Sequence, residues 1–239
     1  MDPRVRSKLL ETAGDTMFDA IRNAIKYNAP KMYFGHMEIV IVSREVAEEG
    51  IGEILDFISR DAEPRGSIDL LVSKEKTARE ILNSQTFLTE IRSYEIDEML
   101  SSQRALSKAP KVQVYQFIND LPCQGVSPFL PTICLVGNAG IKTSELCGTA
   151  VFREDKLLGF LDEEETKYFL FTANKIEGGL LVLKNIPKES ANISLEIFRN
   201  KTKVKPEYWN GKVSMEIDIK TNVALAEQSV GGNFTNESV

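Results

Sequence analysis

The segment ICLVGNAGIKTSE, residues 133–145, carries the chain's nearest approach to nucleotide chemistry. A phosphate-binding loop needs a four-residue stretch between two glycines to wrap a diphosphate in backbone N–H groups. A lysine then follows the second glycine directly, with a hydroxyl residue next. Here only Asn138 and Ala139 separate Gly137 from Gly140, and Ile141 intrudes before Lys142 and Thr143. The loop is too short and its lysine is out of phase, so the segment reads as a polar, glycine-containing connection after a buried strand.

Other residue types capable of chemistry are scattered. Asp162, Glu163, Glu164 and Glu165 form a carboxylate run. Asp162 stands where a helix should begin and Glu165 three positions on, which is the spacing of a capping box, and acidic side chains suit a helix N-terminus. His36 is the single histidine, so imidazole activation of a serine or cysteine would have to use it. It directly precedes an apolar run, and neither a GxSxG elbow nor a cysteine-protease signature accompanies it. Cys123, Cys134 and Cys147 have no CxxC spacing and read as buried free thiols rather than a disulfide framework or zinc site. Arg60, Asp61, Glu63 and Arg65 crowd the segment SRDAEPRG, a helix-to-strand connection shaped by Pro64 and Gly66, which reads as a solvated loop or a partner contact.

The elements around these residues follow from apolar periodicity. Met17, Phe18, Ile21, Ala24 and Ile25 recur at helical spacing and predict a helix from Asp15 to about Lys26. MEIVIV (37–42) is continuously apolar, as in a strand covered on both faces. Ile51, Ile54, Leu55 and Ile58 mark a helix, and SIDLLVS (67–73) a second buried strand, together a βαβ unit with parallel neighbours. Residues 75–121 read as mostly helical, and PFLPTICLV (128–136) as a strand that closes the first domain. Beyond it come a hairpin around REDK (153–156), a helix from Asp162 to about Lys175 and the strand LLVLK (180–184). Alternating runs follow, joined by Asn210-Gly211, a hairpin signal. The tail GGNFTNESV has nothing to bury.

Composition narrows the function classes. With 239 residues the chain can bury a core without disulfide help. A net charge of −6 and a pI near 5.1 argue against nucleic acid as a partner. No apolar run approaches a bilayer span and no secretory signal opens the sequence, so the chain as given reads as soluble.

Two long stretches resemble a known family. YFGHMEIVIVSREVAEEGIGEILDFISRDAEPR, followed by LLVSKEKTAREIL, is similar to the N-terminal region of the C subunits of bacterial spore germinant receptors, the Ger(x)C type of lipoprotein. GTAVFREDKLLGFLDEEETKYFLFTANKIEGGLL is similar to the opening of that family's C-terminal region, and the two occur in the family's order. The resemblance implies a non-enzymatic scaffold or signal-relay subunit, lipid-anchored on the outer face of the spore inner membrane. Its expected partners are the integral-membrane A and B subunits, with no nucleic acid. It implies no cofactor, and no catalytic, cofactor-binding or metal-binding residue carries over. The match reads as truncated at both ends, lacking the signal peptide, lipidated cysteine and first strands.

The expected fold is therefore mixed α+β. An N-terminal domain at 1–142 would contain the βαβ unit in a mixed sheet with helical cover. A smaller hairpin-helix-strand domain at 143–239, rich in antiparallel strands, would include the start of an incomplete third domain from about residue 190. Two further functional classes stay open on the residues alone: a small-molecule module that binds the germinant, and a hydrolytic or nucleotide-using enzyme.

Overall fold

The computed structural model describes residues 8–27, 32–87, 89–138, 140–186 and 191–228. The tail from 229 onward lies outside the described residues. The chain divides into two compact units, one of residues 1–101 and 108–164, the other of residues 102–107 and 165–239.

In the first unit a short helix α1 (Met17–Asn23) ends in a 3-10 turn at Ala24–Lys26. It starts where the sequence asks for a cap: the Thr16 hydroxyl accepts the Asp19 N–H. Strand β1 (Ile39–Val42) leads through α2 (Arg44–Glu49) and α3 (Gly52–Arg60) to β2 (Asp69–Ser73), and β1 pairs with β2 in parallel, as the βαβ reading predicts. Helices α4 (Ala78–Leu82), α5 (Arg92–Ser102) and α6 (Val114–Asp120) fill the next fifty residues. Strand β3 (Phe129–Asn138) then lies parallel to β2. Antiparallel strands β4 (Ile141–Arg153) and β5 (Lys156–Leu161) complete a sheet of order β1-β2-β3-β4-β5.

The chain does not leave this sheet at residue 138. Gly137 pairs with Lys142 and Asn138 with Ile141, so the phosphate-loop lookalike is the tip of the β3–β4 hairpin. The hairpin read at 145–161 therefore extends the first sheet, past the boundary drawn at residue 142. Pairing β4 along β3 removes what would otherwise be an open edge.

The sheet is apolar on both faces, and the pleat sorts alternate residues to each. Leu70 and Val72 join Leu55, Ile58, Val114, Phe117 and Phe152 in one core, where the Phe117 and Phe152 rings meet edge-on at 5.1 Å. Leu71 and Ile133 face the other way and meet Ile81, Ile96 and Leu100 of α4 and α5.

In the second unit α7 (Glu163–Thr172) precedes an antiparallel sheet of β6 (Leu180–Ile186), β7 (Ala191–Trp209) and β8 (Lys212–Gln228). Leu170 and Phe171 of the helix pack on Ile176, Ile197 and Leu181. Asn210 and Gly211, both at positive φ, make the predicted two-residue turn between β7 and β8.

Candidate functional site

A groove of about 730 Å³ lies between α1 and α3. Its floor is apolar, from Met17, Phe18 and Phe57, and its rim is polar, from Asp15, Glu53, Asp56, Arg60 and Asp61. The spacing that predicts α1 puts Phe18 on its apolar face, whereas Phe57 is not among the residues that mark α3 in the sequence; the two rings stand with centroids 6.4 Å apart. The Arg22 guanidinium lies 4.8 Å over the Phe18 ring. Phe18 remains nearly half exposed, so the two helices hold an apolar surface open rather than closing over it.

The groove wall is pinned from far along the chain. Helix α3 has no side-chain cap of its own at Ile51. Instead the Gly52 N–H donates to the Asp155 carboxylate at 3.1 Å, and the Ile51 N–H donates to the Asp155 carbonyl at 3.0 Å. Asp155 sits in the turn between β4 and β5, so the hairpin tip supplies the cap that the helix lacks. A Cβ at Gly52 would approach the Asp155 carboxylate to 2.9 Å, which accounts for glycine at the helix start.

The charged loop after α3 is partly ordered by this arrangement. Arg60 pairs with Asp56 one turn back at 2.7 Å, both exposed. Asp61 accepts the Glu63 N–H at 2.9 Å, and Glu63 accepts the Phe34 N–H at 3.1 Å. Arg60 and Asp61 thus border the groove, while the Glu63 carboxylate ties the loop to the segment before β1.

The other sequence candidates do not converge. Gly140 and Lys142 border a separate polar cavity of about 470 Å³ with Arg79, Asn83 and Ser84. Gly137 and Thr143 are not part of it. The Thr143 hydroxyl donates to the Gln85 carbonyl at 2.8 Å, and the Lys142 carbonyl accepts the Gln85 N–H at 2.9 Å, so both residues brace the loop after α4. His36 is exposed and meets the Tyr33 ring edge-on at 5.7 Å. No serine or cysteine bonds to it among the described residues. In the acidic run, Asp162 accepts the Glu164 N–H at 2.9 Å, which is helix capping, and Glu163 pairs with Lys108 at 2.7 Å. Among the described residues no group of three His, Cys, Asp or Glu side chains is placed to hold a metal ion.

The cysteines correct the sequence reading. Cys134 and Cys147 are joined as a disulfide between β3 and β4, with Cα atoms 6.2 Å apart, and Cys123 is exposed rather than buried. Spacing along the chain could not show this, because the two become neighbours only through the β3–β4 register.

Two buried polar clusters also escaped the sequence. Asp69 opens β2 almost wholly buried, paired with Lys111 at 3.1 Å, while Lys111 also reaches Asp97 at 3.1 Å. Burial pushes the Asp69 carboxyl up to about 6, against the opposing pull of Lys111. Arg92 and Glu95 form a buried ion pair at 2.6 Å, and Glu95 also accepts the Phe87 N–H at 2.7 Å. Both clusters fix helix α5 and its approach rather than line the groove.

The family described as Spore germination protein N-terminal domain matches residues 3–135, and the family described as Spore germination B3/GerAC like, C-terminal matches residues 147–239. The chain belongs to the Ger(x)C family. Among curated members it is similar to spore germination protein KC of Bacillus subtilis (strain 168), 22% identical over 86% of this chain and 54% of that one. It is likewise similar to spore germination protein GerQC of Bacillus cereus, 22% identical over 91% and 60%. This Ger(x)C chain thus spans little more than half the length of these relatives. The crystal structure of the GerBC protein superimposes with a TM-score of 0.57 at 21% identity, covering 87% of this chain and 59% of that one, and shares its fold. No described helix of this Ger(x)C chain is long and apolar enough to cross a membrane.

Proposed function

We propose that this chain serves in bacterial spore germination as a non-enzymatic subunit of a nutrient germinant receptor, holding partner subunits or relaying a binding event between them. The observation that carries the reading is the ordered match of both Ger(x)C regions over nearly the whole chain. The fate of the reactive side chains supports it: Lys142 and Thr143 brace a loop, and Asp162 caps a helix. In this reading the integral-membrane A and B subunits are the partners, and a lipid anchor holds the full-length protein on the outer face of the spore inner membrane. The α1–α3 groove and the adjoining Arg60–Arg65 loop are the contact surface, because they combine an open apolar floor with a charged rim. Co-purification with candidate A and B subunits tests this. Retention of the wild type and loss on reversing Arg60 and Arg65 to glutamate is the expected result.

A second reading is favoured by the size of the groove. A cavity of about 730 Å³ with an apolar floor and a charged rim has the volume for a small molecule, so the groove would bind a germinant directly. A native-state ligand raises apparent stability by mass action. A thermal-shift survey of amino acids, sugars and nucleosides separates the readings: a hit abolished by Phe57→Ala selects the second.

A further inference from the structure

The second unit carries an apolar face that its own helix covers only in part. In β7 and β8 the register places Thr202 opposite Ile219, Val204 opposite Ile217, Pro206 opposite Met215 and Tyr208 opposite Val213. Directly opposed residues share a face and the pleat repeats every two, so these pairs line one side of the ribbon. The intervening pairs, Lys203 with Asp218 and Lys205 with Glu216, line the other. Val204, Ile217 and Ile219 are 44–45% exposed, Val213 and Met215 65%, and Tyr208 74%. Over this stretch β6 is no longer alongside, because its pairing with β7 stops at Glu196. A bare two-stranded ribbon is marginal in water, and a contiguous apolar face of this kind marks an interaction site.

The face continues a seat that is already built. Ile197 packs under α7, and the next same-side positions, Asn200 and Thr202, lie at the helix's end. There the Thr202 hydroxyl donates to the Phe171 carbonyl at 2.6 Å, and the Thr202 N–H donates to Asn174 at 2.7 Å. The apolar surface used by α7 thus runs on outward past Thr202, with no helix of the second unit above it among the described residues. From Thr202 to Tyr208 it extends about 20 Å at ~3.3 Å per residue, the length of about 13 helical residues at 1.5 Å each.

Charge selects the kind of helix. Between Arg199 and Lys220 the ribbon carries six cations and three carboxylates, in a chain whose net charge is −6. Two carboxylates are engaged by Lys205 and Lys220, whereas Lys201, Lys203 and Lys212 have no anionic partner among the described residues. The unpaired lysines rise from the back of a single layer of sheet, so their charge reaches a helix laid on its front attenuated by salt and most strongly at low ionic strength. This excess also opposes face-to-face pairing of two copies.

We infer that the apolar face of the β7–β8 ribbon is the docking seat for an acidic amphipathic helix of about four turns, laid in line with α7. Two relatives extend well beyond the stretch they share with this chain, which covers 54% and 60% of their lengths. The inference does not depend on the receptor reading, since it is tested without any receptor subunit.

The test uses the 239-residue protein and two synthetic 14-residue helical peptides with the same leucine stripe, one flanked by glutamates and one by lysines. Trp209, the single tryptophan, stands at the ribbon tip and reports binding by fluorescence, and amide shifts map the site. The acidic peptide should bind saturably, at least tenfold tighter than the basic one at low salt, and should perturb residues 202–219. Ile217→Asp should weaken it at least tenfold while leaving the amides of α7 and β6 unmoved. The double change Lys201→Glu, Lys203→Glu, which leaves the apolar face intact, should reverse the peptide preference. Equal binding of both peptides, no binding, indifference to these changes, self-association through the face, or preferential binding to anionic phosphatidylglycerol vesicles would each overturn the inference.

Discussion

Asp69 shows how a single buried carboxyl couples this fold to pH. Its folded pKa of about 6 stands above the ordinary carboxylate value of about 3.9 because burial penalises the charged form more than Lys111 rewards it. The folded state therefore binds the proton more tightly than the unfolded chain. The group's favourable contribution is complete below about pH 4 and is lost as pH rises through about 6. Urea unfolding at pH 5 and pH 7 should show wild type losing on the order of 1–2 kcal/mol more than Asp69→Asn over that interval, since the amide has no charge to desolvate. Identical pH dependence in the two proteins would remove Asp69 as the source. The Arg92–Glu95 pair is buried on both sides, and among the described residues the Arg92 Nε and Nη2 groups have no partner, so the bonds from Nη1 to Glu95 at 2.6 Å and to the Ser144 hydroxyl at 3.4 Å carry its compensation. Glu95→Ala should cost roughly 3–5 kcal/mol by the same assay, because it strands a buried guanidinium. Neither cluster was legible beforehand, since Asp69 reads as the polar start of a strand and Arg92 as an ordinary helical charge until burial is known.

At the scale of elements, the Asp155 cap is the joint that matters for the groove. A turn residue from the β4–β5 hairpin satisfies the N-terminus of α3, and α3 forms one wall of the groove. Asp155→Ala should destabilise the first unit by about 1 kcal/mol, the usual cost of a lost cap. It should also speed hydrogen exchange at Gly52 and Glu53 before it affects β2. Unchanged exchange there would mean that packing alone holds the helix. Most of the elements were readable from the sequence: the continuous apolar run of 39–42, the Ile51–Ile58 helix and the Asn210-Gly211 turn all form as expected. Helix α2 was not read, because REVAEE offers little apolar periodicity and is recognisable mainly by the Ser43 cap. The place of β4 was not legible either. Periodicity identifies a strand but not its neighbour, and only the pairing of β4 with β3 brings Cys134 and Cys147 together.

At the scale of the whole chain, no set of reactive groups converges among the described residues, and two apolar surfaces stay open, the α1–α3 groove and the β7–β8 ribbon. Exposed apolar surfaces of this kind mark places where other molecules make contact. Of the charged loop at 59–66, read in the sequence as a solvated connection or a partner contact, Arg60, Asp61 and Ala62 border the groove. Of its apolar floor, the sequence assigns Met17 and Phe18 only to a helix face and does not single out Phe57. The most direct measurement is co-purification from membranes coexpressing this protein with candidate A and B subunits, for wild type and for Arg60→Glu, Arg65→Glu. The account predicts that wild type is retained and that the double variant, equally folded by circular dichroism, is lost at least tenfold. Equal retention of both, or failure of the wild type to associate with any such subunit, would contradict it.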